Sequence, residues 1–367
     1  MTRQPLRIGF AGDLLFGGEW PAIAKERQLD PLHPFADIVS ELKQFDLFIV
    51  NLEGPLTQSS SPRRNAGVLL SNETPVLDVL GGLAQTVCVL ANNHIMDYGT
   101  DALAKTITLL EKRNIKSVGA GLNAEQASQP VFVEVNGWRI GVLACASEEP
   151  EVGALIATGS TAGCASWQPL EALEERVRAA RKMCDLLIVS LHWGSEFFEF
   201  PKPDHVRAID RLVAAGADII FGHHPHVLQG FEQRGRSSVF YSLGHFFVPP
   251  FFTTAGRREP GRTQSRQFAI GVWASDGTGE PTIEIRGGQT SPSWKMEFHD
   301  PSSNEQLSRR MRELSHPIRS PGYEEFWQDY STRHLRRLRR QKLTEDTLTL
   351  ARNPVGETKR YFRKLLQ

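Results

Sequence analysis

The stretch Asp218-Ile-Ile-Phe-Gly-His-His-Pro-His-Val-Leu-Gln-Gly230 contains an apolar run followed at once by three histidines. Residues 219–221 predict a short buried strand that ends at the glycine, where backbone and side chains can crowd around one point. His224 and His226 flank Pro225, a rigid residue that can direct both rings toward one position. Neutral imidazole is a common ligand of transition metals. The stretch predicts a metal site at a strand end, although capped loop histidines explain it about as well when it is taken alone.

The rest of the chain alternates between apolar, strand-like runs and segments with helical periodicity. Strands are predicted at 8–11, 46–50, 86–90, 131–135, 139–145, 185–191, 219–221, 238–243, 268–273 and 282–286. Helices are predicted at 35–43, 73–83, 100–113, 169–183 and 203–215. This alternation is typical of an α/β protein with helices on the sheet faces. The hairpin signal Asn136-Gly137 favours a mixed sheet, or two sheets, over a purely parallel one.

Composition places the chain among soluble globular proteins. Of its 367 residues, 40% are apolar and 23% are charged, which is enough for a large core. The formal net charge of +0 argues against a polyanion-binding role for the molecule as a whole. The four cysteines are widely spaced and form no C-x-x-C pair, which indicates a reducing compartment. No signal peptide or membrane-spanning run is visible, so a cytoplasmic location is expected.

The last part of the chain differs from the body. From about residue 290 the strand runs stop, and Arg-rich helical patterns appear at 323–338, 345–352 and 358–366. The pattern predicts a body at 1–290 and a basic, mainly helical C-terminal extension at 291–367.

The charge of the extension suggests a partner. Residues 301–367 carry 15 Lys/Arg against 8 Asp/Glu, and Arg333-His-Leu-Arg-Arg-Leu-Arg-Arg340 sets two leucines among basic residues. Such a helix can bind an anionic polymer or a membrane surface, or it can be a solvated helix that packs its apolar residues on the body. No base-stacking aromatic pattern accompanies the arginines, so no nucleic acid is expected.

Six strand ends carry a side chain of a metal-ligand type. These residues are Asp13, Glu53, Asn93 with His94, His192, His224 with His226, and His245. Ligands collect at the carboxyl edge of strands in α/β sheets, so residues scattered along the chain can converge there. Carboxylate, amide and imidazole donors together suit Mn, Fe or Zn. A turn cap or a core histidine explains any one position, but six similar placements favour a metal centre.

A series of motifs along the first two thirds of the chain resembles one known family. The motifs are Gly12-Asp13, Asn51-Leu-Glu-Gly-Pro-Leu-Thr57, Leu90-Ala-Asn-Asn-His94 with Asp97-Tyr-Gly99, Ser190-Leu-His-Trp-Gly194 with Glu196, Gly216-Ala-Asp218, Gly222-His-His-Pro-His-Val-Leu-Gln229 and Tyr241-Ser-Leu-Gly244. Over about residues 6–250, the series resembles the CapA family of bacterial capsule (poly-gamma-glutamate) synthesis proteins. That family is similar to the calcineurin-like metallophosphatases. The resemblance implies a four-layer α/β/β/α sandwich of two mixed sheets.

The resemblance also implies roles for individual residues. The implied metal ligands, for one or two divalent ions, are Asp13, Glu53, Asn93, His192, His224 and His226. The implied catalytic residues are His94 as the acid/base group, Asp97 beside it, and Glu196 on the substrate side. Further residues expected around the pocket are Asn51, Asn92, Trp193, His223 and His245.

Two positions differ from the related patterns. Metallophosphatases have a histidine where this chain has Leu15, and CapA-like proteins generally have asparagine where it has His245. His245 either supplies the missing imidazole or lines the pocket.

Two functions fit the resemblance. The first is metal-dependent hydrolysis of a phosphoester or a related acidic substrate. The alternative is a non-catalytic, metal- or ligand-binding role in assembling an anionic polymer.

Overall fold

A computed structural model describes residues 4–58, 62, 67–259, 266–278 and 280–352. The chain divides into two compact units, residues 1–318 and 319–367. The helix predicted at 358–366 lies outside the described residues.

The described residues contain strands of both parallel and antiparallel sheets. The strands are β1 (Leu6–Leu14), β2 (Leu47–Leu52), β3 (Thr86–Val89), β4 (Lys116–Val118), β5 (Ala120–Gly121), β6 (Val131–Val135), β7 (Trp138–Ala146), β8 (Gly163–Cys164), β9 (Leu186–His192), β10 (Ile219–His223), β11 (Phe231–Arg234), β12 (Ser237–Phe240), β13 (His245–Phe247), β14 (Phe251–Phe252), β15 (Arg258–Glu259), β16 (Gln267–Ser275), β17 (Thr282–Thr290) and β18 (Met296–Phe298). The helices are α1 (Trp20–Glu26), α2 (Val39–Leu42), α3 (Val76–Leu80), α4 (Gly99–Glu111), α5 (Ala124–Ser128), α6 (Leu170–Arg181), α7 (Pro203–Ala215), α8 (Pro301–Ser315) and α9 (Tyr323–Arg352).

Two mixed sheets form the centre of the first unit. In the first sheet the strand order is β18-β17-β16-β1-β2-β3-β4, and β13 also pairs with β1. Strands β1 to β4 run parallel, whereas β16 to β18 join as antiparallel neighbours on the other side of β1. The second sheet has the order β11-β12-β10-β9-β7-β6, with a parallel centre and an antiparallel strand at each edge.

The sheets pack face to face through large apolar side chains. Phe10 of β1 lies with its ring centroid 5.7 Å from that of Phe221 in β10 and 5.7 Å from that of Phe240 in β12. Strands β2, β3, β9 and β10 are buried throughout, and their sequences are therefore largely apolar. Helices α6 and α7 pack together, and α6 also contacts β7 and β9. The predicted α/β/β/α arrangement of two mixed sheets is confirmed.

Close approaches between backbones bring the strand ends together. A Cβ atom at Gly12 would lie 1.9 Å from the carbonyl oxygen of Gly244, and one at Gly222 would lie 2.1 Å from that of Tyr241. Only glycine allows these contacts. They place the segment leading into β13 between the ends of β1 and β10. Two of the motif glycines are therefore required by the geometry of the site.

Several elements differ in extent from the predictions. The helix predicted at 73–83 is only the short α3, because Pro75 precedes it and Gly81 follows its last turn. The helix predicted at 35–43 divides into a 3-10 turn at His33–Phe35 and the single turn of α2. The patterns at 323–338 and 345–352 belong to one helix, α9.

The unit boundary falls later than the change in sequence pattern. Strand β18 and helix α8 both belong to the first unit, although the boundary set at residue 290 assigned them to the extension. Helix α8 packs against β17 and β11. Its start is explained by Asp300, whose side chain accepts hydrogen bonds from the N–H groups of Ser302 and Ser303.

The helices of the described residues do not meet the requirements of a membrane span. Each is too short or too polar to cross a bilayer. The cytoplasmic location stays a prediction.

Candidate metal centre

The strand ends of both sheets deliver the residues singled out in the sequence. The first sheet supplies Asp13 in β1, Glu53 after β2, Asn93 and His94 after β3, and His245 in β13; the second supplies His192 in β9 and His224 and His226 after β10. The parallel order of β1, β2 and β3, and of β9 and β10, puts their carboxyl ends at a common edge.

One group of donors contains a carboxylate and two imidazoles, and we call it the carboxylate half. It consists of Asp13, His226 and His245, which each offer one ligand atom within 4.8 Å of the others. Asp13 is fully buried, and its Oδ2 lies 2.9 Å from Nδ1 of His226. The ring centroids of His226 and His245 are 4.8 Å apart.

A second group contains an amide and two imidazoles, and we call it the amide half. It consists of Asn93, His192 and His224. The Oδ1 atom of Asn93 lies 3.0 Å from Nε2 of His192, whose ring centroid is 5.0 Å from that of His224. The rings of His224 and His226 are 5.5 Å apart, so the two halves adjoin.

The histidine turn after β10 has an unusual backbone. His224 has a φ of 90° and His226 a φ of 57°, both in the left-handed region that non-glycine residues avoid. Each such residue costs about 1–3 kcal/mol and persists only where the surrounding structure enforces it. This cost is consistent with a turn built to direct two imidazoles into one site.

Glu53 is a buried carboxylate beside the carboxylate half. Its side chain is 1% exposed, and its Oε1 has no hydrogen-bond partner among the described residues. Burial, and then the charge of Asp13, raise the pKa of Glu53 to about 7. Two buried carboxyl groups side by side, one with an oxygen lacking a partner, fit a bound cation. The donor set around them suits Mn, Fe or Zn.

The electrostatics of the carboxylate half already favour a positive charge. Burial alone would raise the pKa of Asp13, but contacts with His223 and His226 hold it well below its usual range. Burial opposes protonation of His226, yet the charge of Glu53 and the hydrogen bond with Asp13 raise its pKa to about 10. A proton on His226 thus occupies this half when no metal is bound.

The amide half has the opposite electrostatics. Burial, and then the neighbouring His226, lower the pKa of His224 to about 3. Burial and the nearby His224 also hold the pKa of His192 well below its usual value. Within the described part of the chain, Nδ1 of both His192 and His224 lacks a hydrogen-bond partner. These rings are therefore neutral and in the form that binds metal.

A chain of amides orients the carboxylate half. Asn92 donates from Nδ2 to Oδ1 of Asn51 at 3.1 Å, and Asn51 donates from Nδ2 to Oδ1 of Asp13 at 2.8 Å. Oδ1 of Asn92 accepts hydrogen bonds from the N–H groups of Gly54 and His94. Asn92 thus ties strand ends together, and Asn51 orients a candidate ligand, as outer groups around metal sites do.

His94 forms a dyad with Asp97. Nδ1 of His94 lies 2.7 Å from Oδ2 of Asp97, and the same oxygen accepts a hydrogen bond from the N–H of Leu70 at 2.8 Å. Burial would lower the pKa of His94, but the hydrogen bond to Asp97 and the charges of Asp97 and Glu53 raise it. His94 is therefore suited to carry a proton beside the candidate ligands.

Three further predicted residues lie around this arrangement: the catalytic candidate Glu196 and the pocket candidates Trp193 and His223. Trp193 is buried and stacks on His205 with 4.1 Å between ring centroids, so its ring offers little surface to a ligand. Glu196 is exposed, and its charge contributes to the raised pKa values of Glu53 and His226. His223 is fully buried, with Nδ1 3.4 Å from Oδ1 of Asp13.

Two residues near the centre were not found from the sequence. The side chain of Asn72 donates to the carbonyl oxygens of Glu53 and Gly54 and accepts from the N–H of Phe16, which holds the Glu53 turn. The carbonyl oxygen of Glu151 lies 3.2 Å from Nε2 of His224. Both residues lie in irregular segments. Asn72 binds backbone groups and Glu151 acts through its own carbonyl oxygen, so neither belongs to a sequence motif.

Two mixed sheets in an α/β/β/α sandwich, with carboxylate, amide and imidazole donors at the strand ends, define an α/β sandwich protein with a candidate metal centre. Within that class, residues 7–249 match the family described as bacterial capsule synthesis protein PGA_cap. The chain belongs to this family.

Two CapA proteins and one solved structure show how similar the chain is to individual proteins. The chain is 31% identical over 249 residues to the capsule biosynthesis protein CapA of Bacillus anthracis, covering 66% of this chain and 60% of that protein. It is 31% identical over 244 residues to the PGA biosynthesis protein CapA of Bacillus subtilis strain 168, and the match covers 66% of this chain and 63% of that protein. A solved structure described as a novel phosphatase from Mycoplasma pneumoniae shares 17% identity, with a TM-score of 0.47 over 84% of this chain and 99% of that chain. The chain thus spans less than two thirds of the length of either CapA relative.

Proposed function

We propose that this chain is a metal-dependent hydrolase of phosphoester-type or related acidic substrates. The observation that carries the proposal is the buried pair Asp13 and Glu53, with an oxygen of Glu53 that lacks a partner among the described residues, next to His94, whose pKa is raised. A structural ion would explain the carboxylates but not the neighbouring acid.

Each part of the site has a separate task in this proposal. The carboxylate half, the amide half and Glu53 would hold divalent ions, and the chemistry supplied there would be a lowered pKa of bound water and polarisation of a substrate oxygen. Asp97 fixes the His94 ring through Nδ1, which leaves Nε2 to face the reacting group. His94 would protonate the leaving oxygen from that atom. Asn51 and Asn72 would keep Asp13 and the Glu53 turn in place.

The chemistry of the donors indicates the substrate class. Cations in a buried site attract an anionic group, and the His94 proton serves a leaving oxygen of high pKa. An acidic or phosphorylated substrate meets both conditions.

The test separates the acid from the metal ligands. We expect His94→Ala in the Mn²⁺-loaded protein to lower kcat on a responsive phosphoester by about 10²–10⁴-fold, the usual contribution of a general acid. Metal content measured by elemental analysis should stay at the wild-type level. His33→Ala removes a histidine on a 3-10 turn outside the site and should leave both unchanged. Hydrolysis that is unaffected by His94→Ala would remove His94 from the mechanism, and no hydrolysis by fully loaded wild type would refute the proposal.

A second function is favoured by the relatives and by the charge of the C-terminal segment. The CapA relatives are named for capsule and PGA biosynthesis, and residues 301–367 carry 15 Lys/Arg against 8 Asp/Glu. On this alternative the chain binds an anionic polymer or membrane surface through exposed arginines of α9 such as Arg333, Arg336 and Arg337.

Binding of the full chain to poly-gamma-glutamate and to anionic vesicles checks this alternative. A triple Arg→Gln variant at those three positions should weaken the binding in a salt-sensitive way. Equal binding by the wild type and the variant would exclude the role.

A further inference from the structure

We infer that His245 is a direct metal ligand that completes the carboxylate half, and this inference rests on the proposed metal centre. It assigns a role to the residue that replaces the asparagine usual in CapA-like sequences. It also states how the chain compensates for Leu15, which stands where metallophosphatases have a ligating histidine.

The backbone holds His245 opposite Asp13. Strand β13 pairs in parallel with β1, and its register puts His245 directly across from Asp13. The N–H of Asp13 donates to the carbonyl oxygen of Gly244 at 2.9 Å, and the N–H of Leu15 donates to that of Phe247 at 2.8 Å. Hydrogen bonds on both sides of His245 therefore lock its position relative to the carboxylate.

Leu15 cannot serve this half. Its side chain is apolar and fully buried, so it offers no donor atom to an ion. Without another donor, Asp13 and His226 would be the terminal ligands of this half. The adjacent strand β13 supplies an imidazole at the place where β1 supplies none.

The separation of donor atoms is close to that of a bound ion. Ligand atoms of Asp13, His226 and His245 all lie within 4.8 Å of one another. Two ligands of one zinc ion, each about 2.0–2.2 Å from it, are separated by roughly 3–4 Å. Small side-chain rotations are sufficient to close the difference. The side chain of His245 is also buried, at 8% exposure, and so is withdrawn from competition with water.

The exchange of asparagine for histidine has a consequence for metal choice. Imidazole favours Zn and Fe, whereas amide and carboxylate oxygens favour Mn and Mg. With His245, the carboxylate half has one carboxylate and two imidazoles besides Glu53. We therefore expect this half to select Zn²⁺ over Mn²⁺ more strongly than it would with asparagine.

A cysteine in place of the histidine reports coordination directly. In Co²⁺-loaded His245→Cys, a ligating thiolate should give a near-ultraviolet thiolate-to-cobalt charge-transfer band absent from Co²⁺-loaded wild type. His299→Cys, a matched change outside the centre, should give none. The wild-type comparison subtracts any contribution of the four native cysteines. Absence of the band in folded, Co²⁺-loaded His245→Cys would overturn the inference.

The asparagine variant tests the same point by affinity. In competition titrations, His245→Asn should weaken Zn²⁺ binding to the carboxylate half by about 100-fold or more, since loss of even an outer partner costs about 10–100-fold. Mn²⁺ binding should weaken less, and His299→Asn should match wild type. Unchanged Zn²⁺ affinity in His245→Asn would show that His245 only lines the pocket.

The outcomes separate this inference from the proposed function. Wild type that binds metal and hydrolyses phosphoesters, with no effect of either His245 substitution on metal binding, refutes the inference alone. A charge-transfer band and a loss of Zn²⁺ affinity in a protein that hydrolyses nothing refute the hydrolase and support the inference.

Discussion

The two halves of the candidate metal centre use the same pair of sheets but differ in charge. The carboxylate half joins Asp13 and His245 of the first sheet to His226 of the second, and the amide half joins Asn93 to His192 and His224 in the same way. In the first half the pKa of His226 is raised to about 10, and in the second the pKa of His224 is lowered to about 3.

Burial is common to both halves, so the carboxylates cause the difference. Desolvation acts to lower the pKa of both His224 and His226, and of these two only His226, beside Asp13 and Glu53, overcomes it. A metal must displace a proton in the carboxylate half and meets neutral rings in the amide half. The two positions should therefore differ in pH dependence. Because the carboxylate half contains the anionic donor Asp13 and the amide half contains neutral donors, the amide half should have the lower metal affinity.

Removal of the carboxylate in the first half should give the largest effect. Asp13→Asn keeps the shape but loses the charge, and we expect metal affinity of the carboxylate half to fall by more than about 100-fold. The amide half should change by only a few-fold, because its donors do not include Asp13. Equilibrium dialysis with Zn²⁺ measures both. An equal loss in the two halves would show that they are not separate positions.

Glu53→Gln should weaken metal binding and make the metal-free protein more stable at pH 8. In the metal-free protein burial raises the pKa of Glu53 from its ordinary value of 4.5 to about 7, so wild type loses stability as the pH rises from about 4.5 through about 7. The glutamine variant avoids that loss, and we expect it to be more stable at pH 8 by roughly 1–3 kcal/mol. Urea unfolding of both metal-free proteins at pH 4 and pH 8 gives the comparison. A variant no more stable than wild type at pH 8 would contradict the burial argument.

The pH dependence of metal binding should distinguish the halves. A metal entering the carboxylate half displaces the His226 proton, so between about pH 7, above which Glu53 is ionised, and about pH 10 its affinity should rise about tenfold per pH unit. Between pH 6 and pH 9 the amide half should change little through its own rings, which are already neutral. Calorimetric titrations in buffers of different ionisation enthalpy count the released protons. Equal proton release at both positions would be inconsistent with the assigned charges.

A charge added to the amide half should produce the smallest change. Asn93→Asp gives that half a carboxylate, and we expect its metal affinity to increase about tenfold, which narrows the gap between the halves. Asn114→Asp is the matched control, because Asn114 lies in the turn after α4, away from the centre. Metal titrations of both variants measure the gap. If the two halves of Asn93→Asp differed in metal affinity as much as those of wild type, charge would not determine which half binds metal more tightly.

Much of the fold and of the candidate site could be predicted from the sequence. Strands such as β9 and β10 are buried throughout and so appear as largely apolar runs, and the predicted ends of α7 match those observed at Pro203 and Ala215. The ligand-type residues were found because each follows such a run. Which of these residues contact one another was not predictable, because contacts such as that of Asn51 with Asp13 join residues 38 positions apart.

The placements of Trp193 and Asn72, which the sequence did not indicate, also have physical causes. Trp193 adjoins a motif histidine, but apolar packing against His205 turns it into the core. Asn72 has no motif, because its role is to satisfy backbone groups of a neighbouring turn. Tertiary contacts determine where both side chains lie.

The most direct test of the account is a titration of the metal-free protein with Zn²⁺, with bound metal per chain counted by elemental analysis at saturation. We expect two equivalents in two phases, with the tighter phase lost in Asp13→Asn and both phases lost in a His224→Ala, His226→Ala double variant. A wild-type protein that binds no Zn, Mn or Fe after loading, or whose tighter phase survives Asp13→Asn, would contradict the account.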